Sequence, residues 1–166
     1  GRSQSKLFAR LPDDDTDMGL KADSSTVGIA LVGADARFQL KGMELRGQFY
    51  YNLLTNTEQY NRFTRTGTLN NDLGSAMMGF YAEAGYNVFR LITSLDHELV
   101  PFVRYEFYNT HQSVDEITTI NSAYKNEVIT TGLTYRISKK AVIKSDVQFL
   151  KSAKADEFSK VFNAGI

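Results

Sequence analysis

Over most of this chain the side chains alternate in polarity with a period of two, and no other feature of the sequence limits the fold so strongly. A strand sends successive side chains to opposite faces, whereas an amphipathic helix needs apolar residues three and four apart. The alternation predicts six strands and the start of a seventh. In the first, Ala30, Val32, Ala34, Ala36, Phe38 and Leu40 share one face, with Leu31, Gly33, Asp35, Arg37 and Gln39 opposite. The second sets Met43, Leu45, Gly47, Phe49, Tyr51 and Leu53 against Glu44, Arg46, Gln48, Tyr50 and Asn52. The third sets Phe80, Ala82, Ala84, Tyr86 and Val88 against Gly79, Tyr81, Glu83, Gly85 and Asn87, and the fourth Pro101, Val103, Tyr105 and Phe107 against Phe102, Arg104, Glu106 and Tyr108. Weaker strands follow at Ile129 to Ile137, with Thr130, Gly132, Thr134 and Arg136 on the polar side, and at Ile143 to Phe149, with Lys144, Asp146 and Gln148. A seventh starts at Val161.

No charge falls on the 30 apolar-face positions, whereas 10 of the 26 opposite positions are charged. A chain that is 23% charged would place about seven charges among those 30 by chance. The two faces therefore meet different surroundings. Connections alternate in length as well. Lys41-Gly42, the stretch from Arg90 to Glu98 and Ser138 to Lys140 are short or moderate, while Thr55 to Met77, Asn109 to Asn126 and Lys151 to Lys160 are longer and polar. Short turns on one rim and long loops on the other are the pattern of an outer-membrane β-barrel. The fold class expected is all-β, an antiparallel up-and-down transmembrane barrel, of which this chain supplies about seven strands.

Composition removes several other classes. Lys plus Arg and Asp plus Glu are 19 each, so no basic field exists for a nucleic acid, and no cysteine is present for a disulfide or a thiolate metal site. The longest apolar runs are far short of the roughly 20 residues of a membrane-spanning helix. Barrel strands escape that criterion, because their alternation keeps mean hydropathy low, here -0.31. Gly1-Arg2-Ser3-Gln4 has no charged and then apolar leader, so any signal peptide is expected upstream or already removed. A last strand interrupted at Gly165-Ile166 suggests a piece of a larger barrel.

The second half carries a family resemblance. Leu99-Val-Pro-Phe-Val-Arg-Tyr-Glu-Phe-Tyr-Asn-Thr-His111, Val128-Ile-Thr-Thr-Gly-Leu-Thr-Tyr-Arg136, Ala141-Val-Ile-Lys-Ser-Asp-Val-Gln-Phe149 and Phe162-Asn-Ala-Gly-Ile166 resemble the last strands of Bacteroidota porins, similar to the phosphate-selective porin O and P family. Gly33-Ala-Asp-Ala-Arg37 and Lys41-Gly-Met-Glu-Leu-Arg-Gly47 resemble an earlier hairpin of those proteins. The likeness rests on the order and spacing of hairpins and covers about residues 28 to 166. It implies that residues 28 to 166 are C-terminal strands of an outer-membrane barrel, incomplete at both ends, with residues 1 to 27 an extracellular loop segment. A terminal aromatic, expected in such a family, is absent from this chain.

The function that follows is passive diffusion of small hydrophilic solutes or ions through a lumen lined by Asp35, Arg37, Glu44, Arg46, Glu83, Arg104, Glu106, Arg136, Lys144 and Asp146. Five of these are cationic and five anionic, which favours a general pore over an anion-selective one. No enzymatic activity and no cofactor are expected; the partners are outer-membrane lipid and small solutes, and a homo-oligomer is left open. Alternation alone also fits a soluble ligand-binding barrel, and an outer-membrane enzyme or surface-binding barrel is a further alternative. Pairing across Lys41-Gly42 would set Arg37 opposite Arg46, with Asp35 and Glu44 diagonal to them, predicting a cluster of those four. Asp13, Asp15 and Asp17 alternate as in a calcium loop, but Met18 stands where Gly is needed and Ser24 where Glu is needed, so they are a solvated loop with at most a cation to test. His111, Ser113 and Asp115 have triad residue types on a loop that orients nothing, and His97, near a turn, and His111, near a long loop, are expected on opposite rims and so cannot share a metal under that topology.

Overall fold

The computed structural model describes residues 1–11, 17–92, 95–138 and 140–166. Eight strands form a single antiparallel sheet in strict sequence order, β1 (Arg2–Gln4), β2 (Thr26–Leu40), β3 (Met43–Thr55), β4 (Ala76–Tyr86), β5 (Glu98–Ser113), β6 (Lys125–Ser138), β7 (Ala141–Ser152) and β8 (Ser159–Gly165). The sheet is open, with β1 and β8 at its edges. All seven strands expected from the alternation are present, most of them longer than the alternating core alone. An eighth, β1, has no apolar pattern to announce it. Its register, Arg2↔Gly28 to Gln4↔Thr26, comes from backbone bonds that a sequence pattern does not encode.

Lys41 and Gly42 both have positive φ, 49° and 88°. This is the backbone of a two-residue turn whose twist matches the strands it joins, and Gly at the second position relieves the steric cost. At the other tight connection β6 and β7 pair from Asn126↔Ser152 to Arg136↔Val142, then shift register between Arg136 and Ser138 to reach Ser138↔Ala141. The bulge absorbs one residue beside the turn.

The chain divides into two compact units. One comprises residues 1–32, 51–78 and 109–122; the other comprises 33–50, 79–108 and 123–166. The first holds most of two of the three segments expected to be long polar loops, Thr55 to Met77 and Asn109 to Asn126. Helix α1 (Met18–Ser24) and helix α2 (Thr57–Phe63) pack on each other, and Asn56, left-handed at φ 65°, donates its amide to the carbonyls of Asp23 and Thr26 at 2.8 Å each. Buried here are Ser25, Val27, Thr57, Asn61, Ala76 and His111, a core that is mostly polar and hydrogen-bonded. Among the described residues the segment from 1 to 27, expected to be a loop segment, holds β1 and α1. Among the described residues no helix is long and apolar enough to cross a membrane.

In the second unit the usual relation of polarity to burial is reversed. Phe38, Leu40, Met43, Leu45, Phe49, Val103, Leu133 and Ile143 on the apolar face are all exposed, Val103 to 52%. The buried apolar residues Val100, Phe102 and Val128 lie instead at alternate positions shared with Arg104 and Arg136, on the charged face. Replacing Gly42 by Val should lower stability by about 1–2 kcal/mol, the cost of a side chain in a left-handed conformation. A Cβ there would also lie 2.8 Å from Arg90 Cδ. A denaturant titration of wild type and Gly42→Val checks it, with a midpoint shift and an unchanged slope expected.

Candidate functional site

Alternation puts Glu44 and Arg46 of β3, Glu83 of β4, Glu98, Arg104 and Glu106 of β5 and Arg136 of β6 on one face of the second unit. Their side chains join in one series. Arg136 forks onto Glu44, Nη1 to Oε1 at 2.6 Å and Nη2 to Oε2 at 3.0 Å, and its Nη1 also reaches Glu98 at 2.7 Å. Glu44 lies 3.5 Å from Arg46, whose Nε is 3.7 Å from Glu83. Glu83 accepts two bonds from Arg104, 2.9 Å from Nε and 2.7 Å from Nη2, and Arg104 then meets Glu106 at 3.4 Å. Carboxylate and guanidinium alternate throughout, with a carboxylate at each end.

The Arg136–Glu44 contact carries geometric information. Their strands, β6 and β3, have β4 and β5 between them. Three strand spacings on a flat sheet come to about 14 Å, and side chains stand roughly perpendicular to such a sheet instead of reaching sideways. Contact at 2.6 Å requires this part of the sheet to curl with the charged face inward. Missing side chains make room for the curl. A Cβ on Gly79 would run into the ring of Tyr50, which lies across it.

Curvature also explains the partial burial. The side chains of Glu83 and Glu44 are only 11% and 13% exposed, and those of Arg136 and Arg104 26% and 28%. Aromatic faces complete the lining. The Arg104 guanidinium sits 4.7 Å above Tyr81, and Lys144 Nζ sits 4.5 Å above Phe102, so each cation keeps a partner where water is restricted. Asp146 accepts from Asn163 of β8 at 2.9 Å. At the Lys41-Gly42 end the same face opens into a cavity of about 480 Å³, reached by Lys41, Glu44, Asn87, Arg90, Glu98 and Arg136.

The structure thus joins six of the ten lining residues expected from sequence, Glu44, Arg46, Glu83, Arg104, Glu106 and Arg136, in one network. The expected four-residue cluster does not form. Glu44 turns to Arg136, and among the described residues neither Asp35 nor Arg37 has an ion pair. The expectation considered adjacent strands only, and curvature brought in a partner from three strands away. Glu98 was missed because the fourth strand was started too late. It lies two residues before Val100 on the same face, so extending the alternation would have found it.

The remaining candidates sit elsewhere. Asp13 and Asp15 lie outside the described residues, Asp17 precedes α1, and no group of three metal-ligating side chains occurs among the described residues. His111 is buried, with Nε2 against the Asp72 carbonyl and Nδ1 accepting from Asn121 N at 3.3 Å, while Asp115 accepts from Asn61 at 2.9 Å. Those bonds tie loops together and are not the relay of a triad. His97 and Ile137 both lie in the second unit, with His97 Nδ1 2.7 Å from the Ile137 carbonyl. No family model, curated protein or solved structure matches this chain.

Removing Arg136 would leave Glu44 and Glu98 facing each other on the inner face. Arg136→Met should cost roughly 1.5–3 kcal/mol, the range for hydrogen bonds to a charged group. Arg136→Lys should recover only part of it, since an ammonium cannot make the fork. Denaturant midpoints of the three proteins test this, with wild type highest and Met lowest.

Proposed function

We propose that this chain is part of an outer-membrane β-barrel channel through which small hydrophilic solutes and ions diffuse passively. One observation carries the reading. The sheet exposes its apolar face, from Phe38 and Leu45 through Val103 to Ile143, and curls its charged face inward. In water such a sheet would present a contiguous apolar surface far beyond what soluble monomers tolerate. In a bilayer the same surface is solvated by acyl chains, and the inner face lines an aqueous passage. The six side chains for which lipid contact was expected, Val32, Phe38, Leu45, Phe49, Ala84 and Val103, are all exposed, and none fills an enclosed apolar interior as a soluble carrier would require.

The chemistry of the inner face supports conduction without a fixed preference for one sign of ion. Every guanidinium in the series lies between carboxylates, so the field runs across the passage and little net potential remains along it. Adding Glu98 to the expected set gives six carboxylates against five cations. The family resemblance of residues 28 to 166 points the same way as to pore class. In this reading the outer membrane is its location, lipid its surrounding, and no chemical step is performed.

Two measurements test the proposal. Val103→Arg on the outer face should cost about 2–4 kcal/mol at the bilayer midplane, whereas an exposed surface substitution in water stays within about 0.5 kcal/mol. Unfolding of the variant in lipid vesicles reads the difference, and a neutral result rejects lipid as the surrounding. Planar-bilayer recordings of the full-length protein under a salt gradient should give a reversal potential near zero. Strong preference for phosphate or chloride over potassium would reject the general pore.

A further inference from the structure

We propose that Lys125, Lys151 and Lys160 form a binding site for the phosphate of an anionic lipid headgroup, at the end of the apolar face remote from the turn between β6 and β7. The inference rests on the outer-membrane reading above and adds to it a lipid class and a place.

Charge is almost excluded from the apolar face of the second unit. On its strands, among the described residues, that face carries charge only at Lys125 and Glu127 of β6, Lys151 of β7 and Lys160 of β8. All four lie at one end of these strands, since Lys125 opens β6, Lys151 is next to last in β7 and Lys160 is second in β8. The register fixes their spacing. Glu127 stands opposite Lys151, Lys160 stands opposite Phe149, and the Ala153 amide donates to the Lys125 carbonyl at 2.8 Å one step further out. Lys151 is therefore diagonal to Lys125 on one side and to Lys160 on the other, at about 7–8 Å each, within reach of long side chains.

Three ammonium groups on three adjacent strands repel one another, and the same face supplies one carboxylate. Neither Glu127 nor any of the three lysines has an ion pair among the described residues. Aromatic rings hold the lysines instead: Lys125 Nζ lies 5.7 Å from the centre of the Phe107 ring, Lys151 Nζ 5.5 Å from that of Phe158 and Lys160 Nζ 5.9 Å from that of Phe149. Lys151 also donates to the Asp156 carbonyl at 3.0 Å. A ring engages one side of an ammonium and leaves N–H donors open on the other. Lys125 and Lys160 are exposed, Lys151 is half-buried, and a cavity of about 210 Å³ opens between Lys125, Glu127, Lys151 and Phe158. Lys154, Asp156 and Glu157 in the connection from β7 to β8 are exposed as well, and with them counted cations still exceed carboxylates, four to three.

Charge complementarity and position together identify the occupant. Further along the same face Ile129, Leu133 and Phe162 are exposed and uncharged. A molecule that meets both parts has an anionic head and an acyl chain, whereas a free anion would use the lysines alone. Lysine suits the head, being a compact charge with rotatable donors, and its long stem at a strand end lifts the ammonium to the level of the headgroups while lying along apolar surface.

The test uses the full-length protein reconstituted in phosphatidylcholine bilayers. Electron spin resonance of spin-labelled phosphatidate and spin-labelled phosphatidylcholine gives the relative association of each with the protein surface. Wild type should prefer phosphatidate at least about fivefold, and combined Lys125→Gln, Lys151→Gln and Lys160→Gln should remove most of that preference. The corresponding triple Arg variant should keep it, and Lys140→Gln, at the other end of β6 and β7, should leave it unchanged. Equal association of the two lipids overturns the proposal, as does a preference that survives the triple Gln substitution or falls as far in Lys140→Gln. Loss of the preference in inorganic phosphate but not in chloride of equal ionic strength assigns the lysines to a free anion and overturns it too. Equal association still shows both lipids immobilised at the protein surface, so the channel reading stands in that case; a protein that immobilises neither lipid removes both readings.

Discussion

The fork of Arg136 on Glu44 is the contact on which the geometry of the charged face depends. It joins strands that have two others between them, and it forms only when the sheet is curled. Two charges leaving water incur a desolvation cost that an isolated pair often fails to recover. Here each ion is shared: Arg136 serves Glu44 and Glu98, Glu44 serves Arg136 and Arg46, and Glu83 serves Arg46 and Arg104. Sharing gives most of the guanidinium nitrogens and carboxylate oxygens a partner of opposite charge without a second charge for each. It also keeps the guanidinium groups from gathering on one side of the face.

Curvature and polarity depend on each other. An inner face crowded with large side chains could not curl, and this one uses Gly79 where the Tyr50 ring crosses. The outer face gains room in the same motion, and there the bulk accumulates as Phe80 stacks on Phe107 at 5.5 Å and leans on Tyr105 at 6.1 Å. Hydrophobic burial cannot hold this face together from within, since its side chains are exposed. The backbone ladder, the ion-pair series and whatever covers the apolar face share that role.

The first unit obeys ordinary rules of local order. Its connections would be mobile if they were only polar, yet Asn61 is wholly buried, donating to the Leu73 carbonyl, Asp115 and Thr118 and accepting from Leu73 N at 2.9 Å. One amide thereby ties α2 to two other loop segments. The two short helices need such tertiary support, because a helix of two turns is marginal by itself.

The strand content, the face on which each residue lies and the turn at Lys41-Gly42 were legible in the sequence, because period-two polarity and positive φ at a Gly are local properties of the chain. The membership of the charged face was legible for the same reason, with Glu98 lost only through a strand begun late. Which charges pair was not legible. Asp35 and Arg37 looked like partners of Arg46 and Glu44 because only neighbouring strands were considered, whereas Arg136 reaches Glu44 from the third strand over, through a curvature that no linear pattern encodes. The order in the segments around α1, α2 and β1 was hidden as well. Their sequences carry no periodic apolar stripe, and what holds them is side-chain and backbone hydrogen bonding between residues far apart in the chain, such as Asn56 to Asp23 and Asn61 to Asp115. Local alternation determined which face each residue takes; only the tertiary structure, by bending the sheet, decided which residues on that face would meet.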